Sequence, residues 1–229
     1  MAKYDALFFD MDGTLVENSS LMPSAFQQGF ANAGYPIDIT VWRGSGCTDY
    51  EVMDIYLSDF PLTDEEKTKL KEKIAADVRR IVIDRVRLKG LGALPGAVSL
   101  IAKLKELNIV PGLLTGNMEE IVGPKLAAAG MKREDFGYGG FGDHSDCRAE
   151  TARRAMESAG AFFGHDIDPS RALVIGDTPN DIACARSIGA AVLAVSTGRF
   201  SYEQLSEHHP DHILRDLTDI PAFLGIIGV

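Results

Sequence analysis

Two aspartates, Asp10 and Asp12, stand at the end of the apolar run YDALFF (residues 4–9), just before Gly13 and Thr14 break it. Side chains at i and i+2 of a strand project from one face, so these carboxylates tend to converge if the strand geometry persists. Carboxylates held close repel unless a cation lies between them or one keeps its proton, and both devices are chemically useful. The plain alternative is a polar strand end with an Asp-Gly turn.

Other apolar runs end on similar residues. IVPGLLT (109–115) leads to Thr115, Gly116 and Asn117. Asn117 is placed to cap the following helix, with Glu120 at its third position. A hydroxyl and free amides at a helix N-terminus bind phosphate oxygens. RALVIGD (171–177) delivers Asp177. After it, Thr178 reads as an N-cap, Pro179 as the first helical residue, and Asp181 as the third, where a carboxylate completes a capping box. That duty leaves room for a functional one, whereas Asp177 has no capping duty at all. Between these runs, GDHSDCR sets Arg148 just before a helix, while Arg153 and Arg154, one turn on, read as surface charge.

Such residues need a scaffold that gathers run ends. The runs above, with AAVLAVST (190–197), alternate with helical patterns over 96–107, 118–130 and 148–163. In the first, Val98, Ile101 and Leu104 fall at helical spacing; the second ends on a glycine suited to a helix C-terminus. This alternation predicts an α/β fold: a parallel sheet covered by helices on both faces, with ligands beyond the carboxyl ends of the strands. One segment departs from it. Residues 17–89 read as helix only, over 23–34, 48–60 and 63–86, the last with a packing stripe of Leu70, Ile74, Val78 and Ile81. The glycine- and proline-rich KGLGALPG (89–96) closes the segment, and no internal repeat is visible.

Bulk properties narrow the partners. The chain has 229 residues, 45% hydrophobic, enough for a real core. With 23 basic and 33 acidic residues its net charge is −10, and its pI is about 4.9. That field disfavours nucleic acid and anionic membranes, so neither is expected as a partner. An anionic small substrate would need a local cation. Cys47, Cys147 and Cys184 are odd in number and form no CxxC pair, which predicts reduced thiols and a cytoplasmic location. No apolar run reaches the roughly 18 residues of a membrane span, and Asp10 and Asp12 interrupt MAKYDALFF as a signal sequence. SEHHPDH, with His208, His209 and His212, reads as an exposed loop before a last short strand, HILRD, rather than as a metal site. Trp42 and Arg43 fall in a loop of the helical segment, with Arg43 expected to be solvated; His144 is given no role.

Taken in order, DMDGT, LLTGN, a basic residue before a helix, and GDTPND resemble the motifs of the haloacid dehalogenase superfamily of phosphotransferases. The helical insertion resembles that superfamily's small helical cap, and Gly46, Thr48 and Asp49 resemble the cap loop of its phosphoglycolate phosphatase-like branch. The resemblance implies a Rossmann-like core from residues 1–16 and 90–229 and an all-helical cap from 17–89. It implies Asp10 as nucleophile and Asp12 as general acid and base, the latter needing a raised carboxyl pKa, toward which a neighbouring ionised Asp10 pushes. Mg²⁺ would be held by Asp10, the Asp12 carbonyl and Asp177, with Asp181 beside them. Thr115 and Gly116, with Asn117 in the same loop, would bind the phosphoryl oxygens, and Arg148 would stand where relatives commonly carry lysine. Asp12 favours phosphoryl transfer over carbon–halogen cleavage, which needs no acid at that position. The expected activity is therefore a Mg²⁺-dependent phosphatase for a small phosphorylated metabolite, phosphoglycolate-like or a sugar phosphate, in a monomer or weak dimer. A phosphomutase and a non-catalytic binding protein on the same fold are the alternatives.

Overall fold

The computed structural model describes residues 2–17, 20–143, 145 and 147–229. Its centre is a six-stranded sheet in the order β3-β2-β1-β4-β5-β6, with every pairing parallel. Strand β1 (Ala6–Phe9) lies between β2 (Gly112–Leu114) and β4 (Ala172–Gly176). All four of its residues are buried. Leu7 and Phe9 enter one apolar cluster, with Leu100, Leu126 and Phe223. Ala6 and Phe8 enter the other, with Tyr138, Ala155 and Val174. A strand covered on both faces must be apolar throughout, which is why YDALFF shows no alternation. Burial of each phenylalanine contributes roughly 1.5–3 kcal/mol.

Strands β5 (Ala191–Val195) and β6 (His212–Leu214) fall where the sequence places them. Strand β3 (Tyr138–Gly140) is an addition: three residues, two of them glycine, carry no apolar run. Its Gly140 backbone packs so closely on helix α6 (Arg148–Phe163) that a Cβ would overlap the Thr151 carbonyl. Helix α4 (Ala97–Glu106) buries Ala97, Leu100, Ile101 and Leu104; Val98, expected on that stripe, faces out at 40% exposure. Helix α5 (Glu119–Ala128) follows β2 and ends near Gly130, which takes the left-handed φ of 79° suited to glycine. Helices α7 (Pro179–Ser187), α8 (Tyr202–Ser206) and α9 (Ile220–Ile227) complete the layers.

Three further helices stand between β1 and α4: α1 (Leu21–Ala33), α2 (Asp49–Leu57) and α3 (Asp64–Lys89). Thr48 with Glu51, and Thr63 with Glu66, form capping boxes that start the second and third. They share an apolar core of their own, built on Phe26, Phe30, Met53, Tyr56 and Val78. Of the expected α3 stripe, Ile74, Val78 and Ile81 are buried and Leu70 only partly so. Met118 and Ile121, next to and within α5, join the same cluster, so the three helices rest on the sheet-bearing part of the chain. Trp42 packs on Phe26 and Tyr56, with both ring centroids 5.8 Å away. Arg43 is not simply solvated: it pairs with Asp59 and lies 4.3 Å over the Tyr56 ring. No helix among the described residues is long and apolar enough to cross a membrane.

Candidate active site

Parallel pairing of β1 and β4 aligns Phe9 with Ile175, so both strands end at the same edge. The residues just beyond are Asp10 and Asp177, and the Asp10 amide extends the ladder to the Ile175 carbonyl at 2.8 Å. Carboxylate oxygens of Asp10, Asp177 and Asp181 lie within 4.8 Å of one another, and all three residues are buried. The capping box read from GDTPND is present. Thr178 accepts the Asp181 amide, and Asp181 Oδ2 accepts the Thr178 amide at 3.0 Å. The other Asp181 oxygen accepts from Arg148, so the cap and a place in the cluster coexist. Arg148, the first residue of α6, keeps 11% of its side chain exposed and also donates to Asp10 Oδ1 at 3.0 Å.

Asp177 sits in a cradle of two glycines. A Cβ on either Gly13 or Gly198 would overlap its carboxylate. Oδ1 accepts from the Thr14 hydroxyl at 3.3 Å, whereas Oδ2 is buried without a partner. Burial, and then the charges of Asp181 and Asp10, push the Asp177 carboxyl well above the usual carboxylate range. Burial and the Asp181 charge push Asp10 up to about 7, against the pull of Arg148. For Arg148, the Asp181 and Asp10 charges outweigh burial and keep the guanidinium protonated. Three buried carboxylates against one guanidinium, with one oxygen left over, form a hard all-oxygen donor set that suits a divalent cation such as Mg²⁺.

Asp12 is engaged elsewhere. Its carboxylate accepts from Lys125 Nζ at 2.6 Å and from Asn117 Nδ2 at 2.9 Å, and Lys125 also donates to Asn117 Oδ1 at 2.6 Å. Asn117 therefore does not cap α5, as its position suggested. Its side chain is held by Asp12 and Lys125, and the helix start is capped from outside: Asp49 Oδ2 accepts the Met118 amide at 2.8 Å, and Asp143 accepts the Glu119 amide. Lys125 was not singled out in the sequence, where it reads as ordinary charge on a helix. A signal was present: no acidic residue stands three or four positions away on that helix to pair with it.

Thr115 and Gly116 face this group across a short turn in which the Thr115 hydroxyl accepts the Asn117 amide at 3.2 Å. Gly116 is the seam with the three-helix insertion. Its carbonyl accepts the Asp49 amide at 2.7 Å, and a Cβ there would overlap the Cys47 carbonyl. The result is a cavity of about 80 Å³, walled by Asp10, Thr115 and Arg148 on one side and Phe26, Trp42 and Val52 on the other. At 10–15 Å³ per water by the same measure, it has room for roughly five to eight waters.

The remaining candidates lie apart. Arg153 and Arg154 pair with Glu150 on the surface. His208 and His209 close α8, and His212 opens β6 beside the Tyr4 hydroxyl at 3.3 Å. The carboxylate cluster is the only such metal-ligating group among the described residues. None of the three cysteines is in a disulfide. His144 lies outside the described residues.

Residues 7–186 match the haloacid dehalogenase-like hydrolase family. The chain belongs to that family. Among curated proteins it is 23% identical to the pyrophosphatase PpaX of Oceanobacillus iheyensis, over 96% of each chain. It is 24% identical to a phosphoglycolate phosphatase of Photorhabdus laumondii, over 96% of this chain and 92% of the other. Among solved structures, CbbY from Rhodobacter sphaeroides in complex with phosphate superposes with a TM-score of 0.76 at 21% identity, covering 99% of this chain and 100% of that one. The matched span holds every member of the site from Asp10 to Asp181.

Proposed function

We propose that this hydrolase is a divalent-metal-dependent phosphatase acting on a small phosphorylated metabolite. In this reading residues 1–16 and 90–229 form the catalytic core and 17–89 a cap over the site. The observation that carries it is the buried carboxylate cluster at the ends of β1 and β4, with an unpartnered Asp177 oxygen; two of its members, Asp10 and Asp181, line the same cavity as the Thr115–Asn117 turn. The similar proteins named for phosphoglycolate and pyrophosphate hydrolysis support the substrate class.

Asp10, Asp177 and the Asp12 carbonyl would hold the metal, with Asp181 beside them. Bound there, Mg²⁺ would offset the repulsion between the carboxylates and a phosphoryl group and polarise its oxygens. The Thr115 hydroxyl and the Gly116 amide would bind phosphoryl oxygens. Arg148 supplies the cation, and its Nε, buried and without a hydrogen-bond partner, is a free donor for the same group. An Asp10 carboxylate oxygen attacks phosphorus as the ester P–O bond breaks, and Asp12 gives its proton to the leaving oxygen. Asp12 then takes a proton from water, whose oxygen attacks phosphorus. The Asp10–phosphorus bond breaks, and orthophosphate leaves. Lys125 and Asn117 fix the position of Asp12 throughout. The cap residues over the cavity shield these steps from bulk water.

The test is phosphate release from small phosphomonoesters and pyrophosphate, with and without Mg²⁺, by the wild-type chain and Asp10→Asn. Metal-dependent release lost in the folded variant is expected. Wild-type turnover in Asp10→Asn would overturn the nucleophile assignment. Phosphoryl exchange between sugar phosphates without net release would replace the phosphatase by a mutase.

A further inference from the structure

Three cations stand near the cavity, and two are already spent. Arg148 is bound to Asp10 and Asp181, and Lys125 to Asp12. The third, Arg199, has no carboxylate partner among the described residues; its hydrogen bond is from Nη1 to the Ser45 hydroxyl at 3.2 Å. It follows β5 and lies beyond the span of the family match.

Its backbone is tied to the site. The Thr197 hydroxyl donates to the Gly13 carbonyl at 2.6 Å, and Gly198 packs against the Asp177 carboxylate. Arg199 therefore starts one residue from the cluster and reaches across the cavity mouth to the cap. Ser45 is fixed there in turn. Its loop is a tight turn with Gly46 at φ 72°, and Asn180 Nδ2 donates to the Ser45 carbonyl at 3.2 Å. Arg199 and Ser45 both line the cavity, together with the apolar cap residues Leu21, Met22, Phe26, Trp42 and Val52, and with Asp49, whose Oδ2 accepts the Met118 amide.

A substrate whose phosphoryl group sits at Arg148 and Thr115 thus meets a largely apolar wall and, at the exposed mouth, a guanidinium with no carboxylate partner among the described residues. In a chain of net charge −10, that guanidinium has one evident use. We infer that Arg199, with Ser45, receives a second anionic group of the substrate, a carboxylate or a second phosphoryl. The inference rests on the phosphatase reading. A guanidinium fork accepts either group in the same bidentate manner. Arg148, Thr115 and Arg199 line one cavity, so both anionic groups belong to one bound molecule. Arg199 is exposed and donates to Ser45, so a neutral alcohol would leave it hydrated, and the preference for an anion would come from the charge-assisted contact alone.

The test compares kcat/KM for phosphoglycolate and for pyrophosphate with that for ethyl phosphate, in the wild-type chain, Arg199→Gln and Arg199→Lys. Arg43→Gln, the cap arginine paired with Asp59, is the control. Each ratio is expected to fall roughly 10- to 100-fold in Arg199→Gln, the size of a lost charge-assisted hydrogen bond, through KM, with partial recovery in Arg199→Lys and no change in the control. If only one ratio falls, the second anion is of that one kind. Ratios that stay within threefold of wild type in Arg199→Gln overturn the inference. Dissociation constants for phosphoglycolate, imidodiphosphate and ethyl phosphate, measured by calorimetry with Mg²⁺ in the Asp10→Asn background, give the same ratios without chemistry. A chain that hydrolyses nothing but whose binding ratios respond to Arg199 keeps the anion site and loses the phosphatase reading. A chain that hydrolyses these substrates with ratios indifferent to Arg199 does the reverse.

Discussion

Lys125 Nζ lies 2.6 Å from Asp12 Oδ1 in an ion pair that is wet on one side only: the ammonium is fully buried, while the Asp12 side chain keeps 23% of its surface exposed. Replacing Lys125 with methionine would keep the apolar stem and leave Asp12 held by Asn117 alone. Phosphate release is expected to fall at least about 100-fold, the lower range for a mispositioned acid–base group. Stability should fall by about 1–3 kcal/mol, less than for a pair buried on both sides, because Asp12 can hydrate. Steady-state release and the urea midpoint check the two arms. Undiminished release would remove Lys125 from the catalytic group.

The orphaned oxygen of Asp177 links metal binding to folding. At a Mg²⁺ concentration of about 100 times Kd, the wild-type chain should gain about 2.7 kcal/mol, or roughly 5–10 °C in Tm. Asp177→Asn should lose that shift. Its Tm in EDTA should exceed that of wild type, because an unpaired buried charge has been removed. Thermal melts of both proteins in Mg²⁺ and in EDTA decide it. A full Mg²⁺ shift in the variant would take Asp177 out of the metal set.

Asp49, at the cap–core seam, gives a pH signature. Burial pushes its carboxyl from an ordinary 3.8 up to about 7, against the pull of the Met118 amide and Lys125. With the folded pKa above the unfolded one, the folded chain binds more protons across that window, so the contribution of Asp49 to stability declines as pH rises from about 4 to about 7 and is flat above. Asp49→Asn keeps an acceptor for the Met118 amide and cannot ionise. The variant should match wild type near pH 4 and exceed it by about 3–10 °C in Tm at pH 8. A gap that narrows with rising pH would contradict this sign.

Much of this architecture is readable from residue order, and the exceptions have physical causes. Runs such as YDALFF and RALVIGD declare buried strands because both faces of a central parallel strand must be apolar. The capping box read from GDTPND placed the start of α7. Strand β3 escaped because its glycines are chosen for close approach to α6, and glycine carries no hydrophobic signal. In the site, Asp10, Asp177, Asp181 and Arg148 come together as their motifs suggested. Asn117 and Lys125 did not follow local rules. Asn117 forgoes its cap to hold a residue 105 positions away, and Lys125 reaches Asp12 across 113 positions. Spacing along the chain names neither partner, although it shows that Lys125 has no acidic residue three or four positions away.

The central position of β1 also constrains how the chain is born. Phe8 pairs with Gly112 on one side and Val174 on the other, so the strand carrying Asp10 is the first strand made and waits for β4 before both its edges are paired. Until β4 has left the ribosome, YDALFF is an apolar segment lacking a neighbour on one edge, the kind of segment that chaperones cover and that aggregates when they do not. The three-helix insertion, whose core is mostly local, can meanwhile collapse as the chain emerges. Substitutions that slow the arrival of β4 at the sheet should therefore lower the yield of protein made in cells before they alter the turnover of the molecules that do fold.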